Sequence, residues 1–117
     1  MKLNNIKKKI KNVLQLRLFR STNLLTYVEA KDMLKEDANG ILLDVRSIQE
    51  YKEYHLNGAI CIPLYELQIK VENIVQNKQQ LIIVYCQSGA RSKKGVEILE
   101  AMGYTNLYEI DGGIDNI

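Results

Sequence analysis

The sequence predicts an α/β fold in which a parallel sheet is covered by helices on both faces. Three observations carry this. Ile41-Leu42-Leu43-Asp44-Val45 and Leu81-Ile82-Ile83-Val84-Tyr85 are nearly continuous apolar runs rich in branched side chains, as in strands buried on both faces. Strand-like segments alternate with segments of helical spacing along the chain, the pattern of βαβ units. The second run also enters a short loop, Cys86-Gln87-Ser88-Gly89-Ala90-Arg91, and a helical pattern follows from Ser92. A cysteine is thereby placed at the C-terminal end of a strand, facing a helix N-terminus, where ligands bind in open α/β sheets.

The elements follow in order. Residues 21–25 hold a short first strand. Thr26-x-x-Glu29 has the form of a capping box and starts a helix with Ala30, Met33 and Leu34 as its apolar stripe, ended by Asn39-Gly40. After the strand at 41–45, residues 47–55 form a short helix with Ser47 as N-cap and Glu50 at its third position. Asn57-Gly58 turns the chain into a third strand at 59–62, stopped by Pro63. A polar helix covers 64–75, and Asn77-Lys78 leads to the strand before Cys86. The helix after the loop ends at Gly103, and residues 106–110 form a last strand before Asp111-Gly112-Gly113.

A chain of 117 residues fits one domain. An apolar fraction of 46% and a charged fraction of 26% are those of an ordinary soluble globular protein. The net charge of +2 hides an asymmetry: residues 1–20 carry seven Lys or Arg and no acid, leaving the remainder net −5. We divide the chain into a basic leader, 1–21, and a domain, 22–117. Ile6, Ile10, Val13 and Leu14 give the leader helical spacing. Contact with a membrane surface or a partner is one reading, and packing on the domain is the blander and preferred one, since charge runs are usually solvated. No secretory signal is convincing, because the apolar stretch 13–19 is short and interrupted by Gln15 and Arg17. Nothing has the length of a membrane-spanning helix. Two cysteines, Cys61 and Cys86, make no disulfide framework, and a single histidine, His55, makes no His-rich metal site. A reducing cytoplasm is the expected compartment, and it suits a free thiol.

A cysteine nucleophile needs a thiolate, an open approach and stabilisation of the anion. Free cysteine, with a pKa of about 8.5, is mostly protonated at neutral pH, so the surroundings must favour the anion. The loop can supply N–H groups from Gln87 to Ser92. Gly89 lets the backbone curl so that they point inward as a nest, and the helix dipole adds to them. Arg91 contributes a permanent charge. Ser92 is placed to cap the helix and to bond the anion.

These residues bring out a resemblance. Cys86-Gln-Ser-Gly-Ala-Arg91-Ser92 resembles the active loop of rhodanese-like sulfurtransferases. Leu43-Asp44-Val45-Arg46 with Glu50-Tyr51, His55-Leu56-Asn57-Gly58-Ala59-Ile60 into Ile62-Pro63-Leu64, Met102-Gly103-Tyr104 and Asp111-Gly112-Gly113-Ile114 agree with it in the same order. The resemblance spans about 22–117. It implies the rhodanese fold, a five-stranded parallel sheet with helices on both sides, and a catalytic Cys86 that cycles through a persulfide. Thiosulfate or a persulfide would be the donor, with cyanide, a low-molecular-weight thiol or a protein thiol as acceptor. No metal or organic cofactor and no nucleic acid enter this chemistry. Phosphatases and arsenate reductases of the same fold typically place five residues between cysteine and arginine. The four here make a shorter ring, suited to one extra sulfur atom, and Tyr85 stands where many cysteine phosphatases have histidine. Those enzymes, and a non-catalytic docking module of the family, are the alternatives.

The resemblance makes Asp44, Arg46, Glu50 and His55 supporting residues. Arg46 is expected to pair with Glu50, Asp44 to hold backbone near the loop, and His55 to fix a turn rather than act as a base. Cys61, at a family position often held by Asn, is read as a packing residue before a resolving thiol. Lys93 and Lys94 are solvated lysines that can attract anionic donors. Gly95 weakens its helix or allows close packing. The family usually continues past the Gly-Gly with a C-terminal helix, whereas the sequence stops at Ile117. One face of the sheet is therefore expected to be thinly covered, or covered by the basic leader.

Overall fold

The computed structural model describes residues 23–117. The leader, with the roles weighed for it, lies outside the described residues. Five strands, β1 (Leu24–Leu25), β2 (Ile41–Asp44), β3 (Ile60–Cys61), β4 (Ile82–Tyr85) and β5 (Leu107–Ile110), form one sheet in the order β1-β5-β4-β2-β3. Every neighbouring pair is parallel. The helices are α1 (Tyr27–Glu36), α2 (Ile48–Glu53), α3 (Leu67–Ile74) and α4 (Ala90–Ala101). Among the described residues, no helix is long and apolar enough to cross a membrane.

Strand alternation divides the core into two layers. Leu42, Ile83, Tyr85 and Ile110 pack with Ala30 of α1 and Tyr51 of α2. Leu43, Ile82, Val84 and Leu107 pack with Leu67 and Val71 of α3 and Leu99 of α4. The central strand β4 is buried along its whole length, so its four side chains have no solvent-facing side. Each such aliphatic side chain contributes about 1.5–3 kcal/mol by leaving water.

Local sequence sets the helix starts. Glu29 N donates to Thr26 Oγ1 at 3.1 Å, and Thr26 N donates to Glu29 Oε1 at 2.9 Å. Ser47 and Glu50 form the same reciprocal box at the start of α2. The helix expected over 64–75 instead opens with a 3-10 turn, Leu64–Glu66, before α3 begins. Pro63 leads in without a side-chain cap, and the first turn winds tightly. The helix after Cys86 starts at Ala90, two residues before the expected point. Gly89, at φ 108°, serves as its N-cap, so the loop after Cys86 itself forms the first helical turn.

The chain after β5 turns through Gly112 and Gly113 into a 3-10 turn, Gly113–Asn116, under the Cys86 loop. Ile114 N donates to Cys86 O at 3.0 Å and Asp115 N to Gln87 O at 2.9 Å. A Cβ on Gly113, whose φ is +64°, would collide with the Cys86 carbonyl oxygen and lie 2.6 Å from that of Gln87. On the α4 side, the sheet edge at β1 and β5 borders an open groove of about 750 Å³.

Two substitutions test this packing. At Gly95, a Cβ would lie 3.5 Å from Val45 and Val84 and 3.6 Å from Leu67, which is ordinary contact. Gly95→Ala should therefore raise unfolding stability by about 1 kcal/mol in a denaturant titration, through helix propensity alone. Gly113→Ala should lower it by at least about 2 kcal/mol, since the left-handed backbone is strained for alanine and the displaced atoms are backbone. A neutral Gly113→Ala would mean the turn does not brace the loop.

Candidate functional site

Cys86 follows the last residue of β4, in the middle of the sheet, and has 0% exposed surface. Two backbone donors converge on its sulfur: Gly89 N at 3.0 Å and Ser92 N at 3.3 Å. Ser92 is the third residue of α4, and the amides of a first turn lack intrahelical partners. Ser92 Oγ lies 3.5 Å from the sulfur and donates to Gly89 O at 3.1 Å. Negative charge on the sulfur would thus meet two N–H dipoles and the positive end of a helix, and the Ser92 hydroxyl, which accepts from the thiol, would have to turn its proton from Gly89 O to join them. Ser88 and Ala90 form the exposed lip of the loop.

Gln87 is clamped away from the sulfur. Its Nε2 donates to Asp115 Oδ1 at 2.7 Å, and its Oε1 accepts from Arg46 Nη1 at 3.3 Å. Arg46 and Asp44 form a buried pair, 3% and 0% exposed, with Nη2–Oδ2 at 2.8 Å and Nε–Oδ1 at 3.0 Å. Asp44 also accepts from Arg46 N at 2.9 Å, and Arg46 Nη2 donates to Tyr54 O at 2.6 Å. Below them Tyr85 is buried, its hydroxyl oxygen accepting from Leu56 N at 3.1 Å.

The expected Arg46–Glu50 pair does not form. Glu50 instead binds Arg91 side by side, Oε1–Nη1 at 2.7 Å and Oε2–Nη2 at 3.0 Å. The reason is that Arg46, at the end of β2, already has Asp44 two residues away, whereas Glu50 faces the loop from the first turn of α2. The Arg91 hydrogen bonds hold the Glu50 carboxyl well down, at about 2, against desolvation that would raise it. Arg91 is consequently committed to a carboxylate rather than left free over the loop.

His55 stacks on Tyr51 with ring centroids 3.7 Å apart, and its Nδ1 donates to Tyr51 O at 2.8 Å. Tyr51 OH donates to Ala59 O at 2.6 Å, so the two rings together tie α2 to the start of β3. The Cys61 thiol donates to Arg46 O at 3.5 Å, and burial pushes it up to about 11. Both cysteines are free. Lys93 lines the groove beside the loop, and Lys94 lies 3.8 Å from Glu97. Among the described residues, no cluster of His, Cys, Asp or Glu could hold a metal ion.

Sequence reasoning missed two contributors, Asp115 and Glu109. Asp115 fixes Gln87 from 28 residues away. Glu109 interacts with Ser92, and burial, reinforced by Asp111, raises its carboxyl above the ordinary value. A single acid near a chain end and another in a short strand carry no periodic signal. Only the register of Glu109 with Val84 brings it beneath α4.

This arrangement has close parallels. Thiosulfate sulfurtransferase PspE of Escherichia coli K12 is 40% identical over 75 residues, covering 64% of this chain and 71% of its own length. The tRNA uridine(34) hydroxylase of Buchnera aphidicola is 35% identical over 107 residues, covering 86% of this chain, which spans about a third (34%) of that longer protein. A solved E. coli structure described as a rhodanese with anions superposes with a TM-score of 0.61 at 38% identity, covering 67% of this chain and 91% of the other. The family described as Rhodanese-like domain matches residues 26–117, which include every strand from β2 to β5 and the whole loop around Cys86. The chain belongs to the rhodanese-like domain family.

Proposed function

We propose that the chain is a sulfurtransferase that moves sulfane sulfur from thiosulfate or a persulfide to a thiol or cyanide through a persulfide on Cys86. The carrying observation is the convergence of Gly89 N and Ser92 N on the Cys86 sulfur, at 3.0 and 3.3 Å. In the first half-reaction the Cys86 thiolate attacks the outer sulfur of thiosulfate. A new S–S bond forms, the old one breaks, and sulfite leaves with the electron pair. In the second, the acceptor attacks the outer sulfur of Cys86-S-S⁻ and Cys86 departs as a thiolate. This is covalent catalysis with ping-pong kinetics and needs no cofactor. Cys86 has no exposed surface, so the loop around it has to open for a donor to reach the sulfur. Asp44, Arg46, Glu50 and His55 act by fixing the loop's surroundings. The free thiols fit a reducing cytoplasm.

The likeness to tRNA uridine(34) hydroxylases gives a second reading, a domain serving a tRNA-modifying protein. The charge of this domain opposes it, because residues from 21 onward are net −5 and a nucleic-acid surface needs excess cation. We favour small-molecule and protein partners.

The test is incubation with thiosulfate followed by intact-mass measurement. One added sulfur, released by cyanide and absent from Cys86→Ser, is the expected result. Turnover of a phosphate ester without persulfide would overturn the reading. Ser92→Ala keeps the backbone donor but loses the hydroxyl. Its transfer rate should fall about tenfold, less than the roughly 100-fold loss of a strong oxyanion donor. An unchanged rate would exclude the hydroxyl from anion stabilisation.

A further inference from the structure

The groove of about 750 Å³ begins at Ser88 and Gly89 of the active loop and runs between α4 and β5 to Tyr104 and Thr105. That volume is within the range of ligand clefts, about 300–1,000 Å³. Leu24, Val96 and Leu107 give it apolar surface. Among the described residues its charged lining is unbalanced: Glu97, Glu100, Glu109 and Asp111 stand against Lys93. Lys94, just outside, sits 3.8 Å from Glu97. Burial first, and then the neighbouring Asp111 and Glu97, hold the Glu109 carboxyl above its ordinary value despite Lys93 and Ser92.

Across the loop the cations are already matched. Arg46 is paired with Asp44 and Arg91 with Glu50. The surroundings of Cys86 therefore present a neutral flank on the α2 side and a negative flank on the β5 side. A dianion such as thiosulfate is not drawn into the negative flank. A chain carrying lysine or arginine among apolar residues matches both the acidic walls and the apolar surface.

We propose that the groove receives the protein that accepts sulfur from Cys86, through a basic segment with apolar residues flanking its acceptor thiol. The proposal rests on the sulfurtransferase reading of Cys86. The docked thiol, having lost its proton to solvent, attacks the outer sulfur of the persulfide. The new S–S bond forms on the acceptor as the bond to Cys86 breaks, and Cys86 keeps the electron pair.

Two synthetic peptides of equal length test it, each with one cysteine between apolar residues, flanked by lysines in one and glutamates in the other. With the full chain loaded from thiosulfate, the lysine peptide should take sulfur about tenfold faster at low salt, the lower end of electrostatic steering. The rates should converge at 1 M salt, where screening acts within about 3 Å. The ratio should fall several-fold in Glu97→Gln/Glu100→Gln and stay in Asp32→Asn, which makes the same kind of charge change on α1. S-methylated versions of both peptides, followed by fluorescence anisotropy on the unloaded protein, measure docking without chemistry. Failure to load sulfur would sink the sulfurtransferase reading while the anisotropy still decides the groove. Equal binding of the two peptides, or a preference untouched in Glu97→Gln/Glu100→Gln, overturns the proposal. Occupation of the groove by the chain's own basic residues 1–20 would give equal binding and overturns it too.

Discussion

The site depends on where the carbonyls of Cys86 and Gln87 point. Both are bonded from beneath, by Ile114 N and Asp115 N of the turn that follows β5. With those oxygens held against the 3-10 turn, the following amides are free to rotate inward, and those of Gly89 and Ser92 reach the sulfur. The left-handed Gly89 makes the curl possible, and the close approach of Gly113 makes the brace possible. The sulfur's surroundings are therefore set by two segments more than 20 residues apart, joined only because β4 and β5 are neighbours in the sheet.

Around this centre the charges are sorted into pairs. Asp44–Arg46 is buried and hydrogen-bonded on nearly every polar atom, so either residue alone would leave an uncompensated charge in the core. Glu50–Arg91 is partly exposed and correspondingly weaker in stabilising terms, yet it also shares Glu50 with the Ser47 capping box. One carboxylate thus couples the start of α2 to the position of the loop arginine. Among the described residues the β5 side carries Glu97, Glu100, Glu109 and Asp111 against Lys93, with Lys94 reaching Glu97 at 3.8 Å, and this contrast with the paired flank gives the site its electrical asymmetry.

The sequence conveyed what is local. Both capping boxes, the buried strands and the strand–cysteine–helix junction depend on residues within a few positions of one another, and they appear as read. The ion-pair partners were not legible. Arg46 has two carboxylates within four residues, Asp44 and Glu50, and spacing alone does not choose between them. The choice is made by Arg91, 41 residues from Glu50, which the fold brings to the rim. The helix start was misplaced for a related reason: Gly89 caps α4 by its backbone conformation, and no side-chain cap marks the position.

The fate of Arg91 also bears on which chemistry the ring supports. A tetrahedral oxyanion is gripped best by an arginine offering two N–H groups side by side. In this loop the Glu50 carboxylate accepts from both terminal nitrogens, at 2.7 and 3.0 Å. Recruiting Arg91 to a phosphate would mean breaking that bidentate pair and leaving Glu50 beside an incoming anion. A persulfide needs none of this, since its charge rests on one added atom above donors already aimed at Cys86. The four-residue loop, shorter than that of the phosphatases the family resembles, and an arginine already engaged thus support the proposed sulfur transfer from two directions.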